Sequence, residues 1–191
     1  MQPNYAAREI NLKIVYYGPG LGGKTTNLEY IHKKTKPDCK GKMISLATQK
    51  DRTIFFDLLP IEVGEIKGFK TKIQLFTVPG QRCYNESRQF VLKGVDGLVF
   101  VVDSQKERLA ENIESFENMK ININENRLNL TEIPYVIQLN KRDLPNILPS
   151  NVILAQLKCE NIPWFEAVAK DGVGVFETFK SIAKMVLTKF T

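Results

Sequence analysis

The chain has 191 residues, 43% hydrophobic and 25% charged, which suits a globule with one sizeable core and excludes a low-complexity or fibrous chain. Lys and Arg outnumber Asp and Glu by 27 to 21, a formal net charge of +6. This excess either favours an anionic partner or forms a solvated basic face, and its scatter along the chain argues against nucleic-acid binding.

Cys39, Cys83 and Cys159 are far apart and form no CxxC pair. That pattern argues against a disulfide framework or structural zinc and suits a reducing cytoplasm. No apolar run approaches the ~18 residues that a membrane span needs. Met1, Gln2 and Pro3 do not begin a signal peptide. Gln2 stands where myristoylation needs glycine, and the ending Lys189, Phe190, Thr191 offers no cysteine for prenylation. Any visit to a membrane is therefore expected through surface charge or a partner. No repeat or linker interrupts the chain, so one domain over residues 1–191 is expected.

In chain order, residues 10–17 (INLKIVYY) are β-branched and aromatic and stop at a Gly/Pro cluster, which reads as a buried strand followed by a loop. That loop, residues 18–25 (GPGLGGKT), fits GxxxxGK[ST], and a helix over Lys24–Lys34 is expected after it. Residues 54–66 and 71–78 flank Gly68 as a hairpin, and Pro60 within the first suits an edge strand. The second strand ends in residues 77–81 (TVPGQ). Residues 95–103 (VDGLVFVVD) form the next strand. Leu109, Ile113, Phe116 and Met119 then recur at helical spacing. A further strand, 133–139 (IPYVIQL), runs into Asn140, Lys141, Arg142 and Asp143. A short strand over 163–167 leads into residues 166–170 (EAVAK). Phe176, Phe179, Ile182, Ala183, Val186 and Phe190 mark a last helix. Strands alternating with helices predict an α/β fold in three layers. Its sheet is expected to have six strands in all, mostly parallel, with one antiparallel strand at an edge. Ligands in such sheets bind beyond the carboxyl ends of the strands, where the motifs fall.

The glycines of residues 18–25 let the backbone curl so that successive N–H groups face phosphates, and the next helix adds its positive end. Gly18, Gly20, Gly22, Gly23, Lys24, Thr25 and Thr26 are the expected phosphate-binding residues. Lys24 would reach the β- and γ-phosphates, and the Thr25 hydroxyl would ligate Mg²⁺. The Asp143 carboxylate can accept two hydrogen bonds from guanine N1–H and its 2-amino group, which adenine cannot reproduce. Asn140 can tie loops together, and the Lys141 stem can lie over the base. The Gly80 N–H would bond the γ-phosphate, and Gln81 would orient the attacking water. Residues 166–170 resemble a loop that offers main-chain N–H groups, at Val168 and Ala169, to the guanine O6.

With these four elements in order, the chain resembles the Ras-like small GTPases, P-loop proteins with a single G domain, over nearly its whole length. Such proteins usually carry Asp where Thr77 stands. That departure looks like the MglA family of prokaryotic small GTPases, named for gliding motility. Residues 13–27 (KIVYYGPGLGGKTTN), 52–60 (RTIFFDLLP), 76–81 (FTVPGQ) and 138–145 (QLNKRDLP) are all similar to that family.

The resemblance implies a bacterial cytoplasmic switch in cell polarity and surface motility, recruited to cell poles through partners. It implies GTP hydrolysis with Mg²⁺, stimulated by a roadblock-fold homodimer of the MglB type, and effectors at the switch loops. It makes Thr53 the threonine that senses Mg²⁺ and the γ-phosphate. It makes Arg52 an arginine finger in cis; by its residue type alone Arg52 is a surface charge before a strand. The expected catalytic set is thus Gln81, Arg52, Lys24 and Thr53, with Thr25 and Thr53 on the metal.

A hydroxyl at Thr77 cannot attract metal-bound water as a carboxylate does. Asp57 either supplies that charge through water or is a solvent-facing strand residue. Asp103 either approaches the site or caps a helix. His32 is expected on the surface, and Cys83 is either a reporter of switch state or an inert small side chain. Two rival functions are a non-catalytic nucleotide-dependent scaffold, given the missing Asp, and an adenine-nucleotide kinase, which residues 140–143 argue against.

Overall fold

The computed structural model describes residues 4, 5, 7–46, 56–81 and 84–189. Arg52, Thr53, Cys83 and Phe190, all given expectations above, lie outside them. Among the described residues the strands are β1 (Glu9–Tyr17), β2 (Ile44–Leu46), β3 (Phe56–Ile66), β4 (Phe69–Thr77), β5 (Gly97–Asp103), β6 (Tyr135–Asn140) and β7 (Trp164–Glu166). The helices are α1 (Lys24–Lys34), α2 (Asn85–Leu92), α3 (Leu109–Glu125), α4 (Ser150–Leu157) and α5 (Val175–Thr188).

The strands form one sheet in the order β2-β3-β4-β1-β5-β6-β7. β1 pairs in parallel with both β4 and β5, and β5–β6 and β6–β7 are also parallel. β3 runs antiparallel to both of its neighbours. Two expectations are corrected here. The sheet has seven strands rather than six, and the reversed strand is second from the edge. The extra strand is the three-residue β2, too short to leave a periodic signal. It covers only Phe56, Asp57 and Leu58 of β3. Pro60 lies just past it, paired with Gln74 on the other side, and its carbonyl accepts from the Gly41 N–H at 2.9 Å. The N and O of one residue point the same way in an antiparallel strand. The missing N–H of Pro60 therefore faces that sparsely paired outer side, so the proline costs β4 no hydrogen bond.

β3 and β4 are joined as expected, with Ile66 opposite Phe69. Lys67 and Gly68 make the two-residue turn, with φ of 51° and 79°, the left-handed pair that matches strand twist.

The sheet is covered on both faces. Ile10, Leu12, Ile14 and Tyr16 of β1 pack with Leu28 and Ile31 of α1 and Ile182 and Val186 of α5. Val15 and Tyr17, the alternate residues of β1, pack with Val91 and Leu92 of α2, Phe116 and Met119 of α3, and Leu154 of α4. β5 is buried at every position, as a central parallel strand between two helical layers must be. The carboxyl ends of β1, β4, β5, β6 and β7 and the amino end of β3 all reach one edge of the sheet.

Candidate nucleotide site

At that edge, the chain leaves β1 and turns over residues 18–23 into α1. Gly23 is the N-cap of α1 at φ 100°, a left-handed value that favours glycine, and a Cβ there would come within 2.2 Å of Asn140 Nδ2. No side chain caps α1. The first-turn amides, including those of Thr25 and Thr26, have no intrahelical acceptor and point their partial positive charge outward, an anion site by construction. Lys24 is buried, and its Nζ donates to the carbonyls of Gly18 (3.0 Å) and Pro19 (2.6 Å). Gly22 and Gly18 are buried and Gly20 partly so.

Residues 78–81 leave β4 beside this loop. A Cβ on Gly80 would fall 2.2 Å from Gly20 Cα, so the two backbones touch, and only glycine fits. Gln81 is exposed at the rim.

The carboxylate of Asp57 is the centre of a compact cluster. It is buried and accepts from the hydroxyls of Thr25 (2.6 Å), Ser45 (2.7 Å) and Thr77 (2.8 Å), and its own N–H donates to Thr77 Oγ1 at 2.9 Å. The solvent-facing alternative for Asp57 is thus overturned. Register explains the contact: Leu58 pairs with Phe76, which puts Asp57 opposite Thr77. A cavity of about 420 Å³ opens here, lined by Lys24, Thr25, Ser45, Asp57, Thr77 and Gly80 among others. One carboxylate with hydroxyl oxygens is a hard donor set that suits Mg²⁺, which prefers one or two carboxylates and takes its remaining ligands from phosphate and water. Among the described residues no group of three or more His, Cys, Asp or Glu offers a self-sufficient cage.

Further along the edge, Asn140 ends β6 and joins two loops. Its Nδ2 donates to Gly22 O (2.8 Å), and its Oδ1 accepts from the Ala169 N–H (2.9 Å). The Val168 N–H donates to Val173 O (3.0 Å). Both amides that the sequence offered for a base edge are therefore engaged, while the Lys170 N–H has no acceptor among the described residues. Lys141, at φ 65°, turns its Nζ onto the buried Asp103 carboxylate at 2.6 Å. Asp103 caps no helix: α3 begins at Leu109 with Arg108 as its N-cap, and the carboxylate accepts instead from Lys141 and the Gln105 N–H. Asp143 is reached by Lys170 Nζ at 2.6 Å. That ammonium holds the Asp143 carboxyl below the usual carboxylate range, and so keeps it an acceptor. His32 is partly exposed on α1.

Two contacts had no sequence signal. Arg108 donates to Gly20 O at 2.7 Å, bracing the loop from α3. Arg88 of α2 holds the carbonyls of residues 79–81.

Residues 3–186 match the model of the ADP-ribosylation factor family. The chain is 60% identical to the mutual gliding-motility protein MglA of Myxococcus xanthus, over 97% of this chain and 95% of that protein. This protein belongs to the MglA family of Ras-like small GTPases. More distant relatives include the Ras-related proteins Rab-5B of Plasmodium falciparum (25% identical over 96% of this chain and 82% of its own) and Rab7 of Pisum sativum (26%, 94% and 84%). As a member of this GTPase family, the protein binds and hydrolyses GTP.

Lys24 gives this GTPase a pH signature. Burial pushes its ammonium down to about 7, the Arg88 charge adds to the shift, and Asp57 opposes it. The charged amine is therefore costly in this fold below pH 7, and the cost is relieved as pH rises from 7 towards the ordinary lysine value. Phosphates placed beside the ammonium would remove the cost and restore the charge. Nucleotide binding at pH 8 is thus expected to take up close to one proton, and affinity is expected to fall as pH rises above 7. Calorimetry in buffers of different ionisation enthalpy measures that uptake; an enthalpy independent of buffer contradicts it.

Proposed function

We propose that this protein is a GTP-operated switch for cell polarity and surface motility in a bacterial cytoplasm, set by hydrolysis that an MglB-type roadblock homodimer stimulates. The observation that carries the reading is the meeting, at one sheet edge, of an uncapped helix N-terminus, a buried lysine, the Gly20–Gly80 contact and the Asn140–Asp143 turn. The 60% identity to a gliding-motility protein supports the biological setting.

The triphosphate lies across the amides of residues 18–26, with Lys24 Nζ moving from the Gly18 and Pro19 carbonyls to the β- and γ-phosphates. Asp143 grips the guanine N1–H and 2-amino groups. The loop 166–170 faces O6, through the Lys170 N–H and through the Ala169 N–H if it exchanges its bond to Asn140. The Lys141 stem, fixed by Asp103, covers the base. Mg²⁺ would be held by the Thr25 hydroxyl, by Thr53 and, through water, by Asp57, and would supply positive charge to neutralise the phosphates. Thr77 acts there by holding the Asp57 carboxylate in place.

The Gly80 N–H bonds the γ-phosphate, and Gln81 orients a water for in-line attack on phosphorus. Arg52 stabilises the charge spreading over the transferred group, a contribution of roughly 10³–10⁵ in rate for such fingers. Loss of the γ-phosphate frees both switch loops from their contacts and alters the surface that effectors read. Recruitment to the poles comes through those partners; among the described residues no helix is long and apolar enough to cross a membrane.

Single-turnover GTP hydrolysis, with and without a roadblock homodimer from the same organism, tests this reading. Slow intrinsic hydrolysis and a large acceleration are expected. Gln81→Leu and Arg52→Ala are each expected to lower the accelerated rate by at least about 100-fold with GTP still bound. Hydrolysis unaffected by both substitutions contradicts the assignment.

A further inference from the structure

Arg88 of α2 is nearly fully buried, 4% exposed. Three of its guanidinium hydrogen bonds go to a single stretch of backbone. Nε donates to Pro79 O (2.9 Å), and Nη2 donates to Gly80 O (2.7 Å) and Gln81 O (3.1 Å). Nη1 donates to Asn118 Oδ1 of α3 at 2.6 Å, and the group lies 5.7 Å from the ring centre of Tyr17. These acceptors are neutral, so the charge is held by dipoles.

The far side of the fork is fixed by a polar cluster. Tyr17 Oη donates to Asn118 Oδ1 at 2.6 Å, and Asn118 Nδ2 donates to Asn85 Oδ1 at 2.9 Å. Asn122 Nδ2 donates to Tyr17 Oη, Asn85 Oδ1 and Asn118 Oδ1 at 2.9–3.1 Å. Lysine has no planar fork and cannot bridge three carbonyls in this way.

The consequence follows from peptide geometry. A trans peptide points its C=O and N–H to opposite sides. Pro79 O and the Gly80 N–H belong to one peptide unit, and Gly80 O and the Gln81 N–H to the next. A cation on both carbonyls therefore turns both N–H groups away from α3, and its charge polarises them into stronger donors. Gly80 touches the phosphate loop at Gly20 and lines the same cavity as Lys24 and Thr25.

We propose that Arg88 is a positioning residue for γ-phosphate recognition: it aims and strengthens the Gly80 N–H through the Pro79 carbonyl. The Asn85–Asn118–Asn122–Tyr17 cluster links that amide to α3. This rests on the assignment of the Gly80 N–H to the γ-phosphate. Only GTP presents that group, so Arg88 discriminates GTP from GDP and leaves GDP affinity alone.

The test compares Arg88→Lys, Arg88→Gln and Gly80→Ala with the unaltered protein, each with Mg²⁺. Equilibrium affinities for GDP and a non-hydrolysable GTP analogue are measured, with melting temperatures alongside. For Arg88→Gln, affinity for the analogue is expected to fall about 10-fold or more and affinity for GDP less than about twofold, with Arg88→Lys in between. A merely structural role lowers both affinities together with the melting temperature, and that result overturns the proposal. Should Arg88→Gln fail to fold, an unchanged analogue-to-GDP ratio in Arg88→Lys overturns it equally. If Gly80→Ala loses the preference for the analogue while the Arg88 variants keep it, the positioning role is wrong and the Gly80 assignment stands. If no variant changes the ratio, the Gly80 assignment itself falls.

Discussion

Asp143→Asn is expected to raise the dissociation constant for GDP by roughly 10²–10³ and to admit xanthine nucleotides in its place. The carboxylate is an acceptor at both oxygens, and guanine presents two donors, N1–H and the 2-amino group, side by side. Hydrogen bonds to a charged group are worth about 1.5–3 kcal/mol each, so two of them account for the expected loss. The amide keeps one acceptor and turns the other position into a donor. That donor faces the 2-amino group of guanine, a clash of like partners, but meets the 2-carbonyl of xanthine as an acceptor. The substitution also removes the Lys170–Asp143 pair, 2.6 Å in the structure. That pair is largely solvent-exposed and contributes little stability of its own. Competition of GDP, XDP and ADP for a fluorescent nucleotide measures the change. An unaltered order of preference contradicts the placement of the base at this turn.

The second large effect concerns Asp57. Asp57→Asn keeps the volume and removes the charge, and is expected to weaken Mg²⁺ binding in the nucleotide complex by about tenfold to 100-fold. Thr77 contributes a hydroxyl where Ras-like proteins usually carry a carboxylate, and on the reading proposed above the negative charge comes from the strand alongside. The two residues share one spot because β3 and β4 are antiparallel and in register there, with the Thr77 hydroxyl 2.8 Å from the Asp57 carboxylate. The amide also places a donor among the hydroxyls of Thr25, Ser45 and Thr77, so some loss of thermal stability accompanies the metal effect. Release of labelled GDP against Mg²⁺ concentration separates the two. A midpoint unchanged from the unaltered protein sinks the role of Asp57, whatever happens to the melting temperature. Asp57→Glu, which restores charge at the wrong reach, is expected to recover only part of the affinity.

The legible parts of this fold were those that local chemistry writes directly into the chain. Residues 18–25 declare their turn through glycine. β5 declares itself by unbroken apolar residues, and α1 begins and ends where its glycine and basic last turn place it. Lys67 and Gly68 mark a hairpin because few residue pairs adopt left-handed values together. β2 escaped because three residues cannot show a period of two. α2 and α4 escaped because each has eight residues and little more than two turns of periodicity.

The site divides the same way. Motif residues announce themselves, whereas their supports are placed by tertiary contact. Asp57 reaches Thr77 across 20 residues, Lys141 reaches Asp103 across 38, and Arg108 reaches Gly20 across 88. In sequence Asp57 was ambiguous because strand alternation alone does not say which neighbour stands opposite. Arg88 belongs to no motif that would single it out in the sequence. Only the backbone that it grips, with its carbonyls turned inward, gives it a meaning.

The account depends most directly on guanine nucleotide and Mg²⁺ meeting at the loop between β1 and α1. Titration of the nucleotide-stripped protein with GDP and with ADP, in the presence and absence of Mg²⁺, measures that meeting. The expected result is GDP binding at submicromolar concentration that weakens when Mg²⁺ is withdrawn, with ADP unable to compete. Equal affinity for the two bases, or no binding of GDP at micromolar protein with Mg²⁺ present, contradicts it.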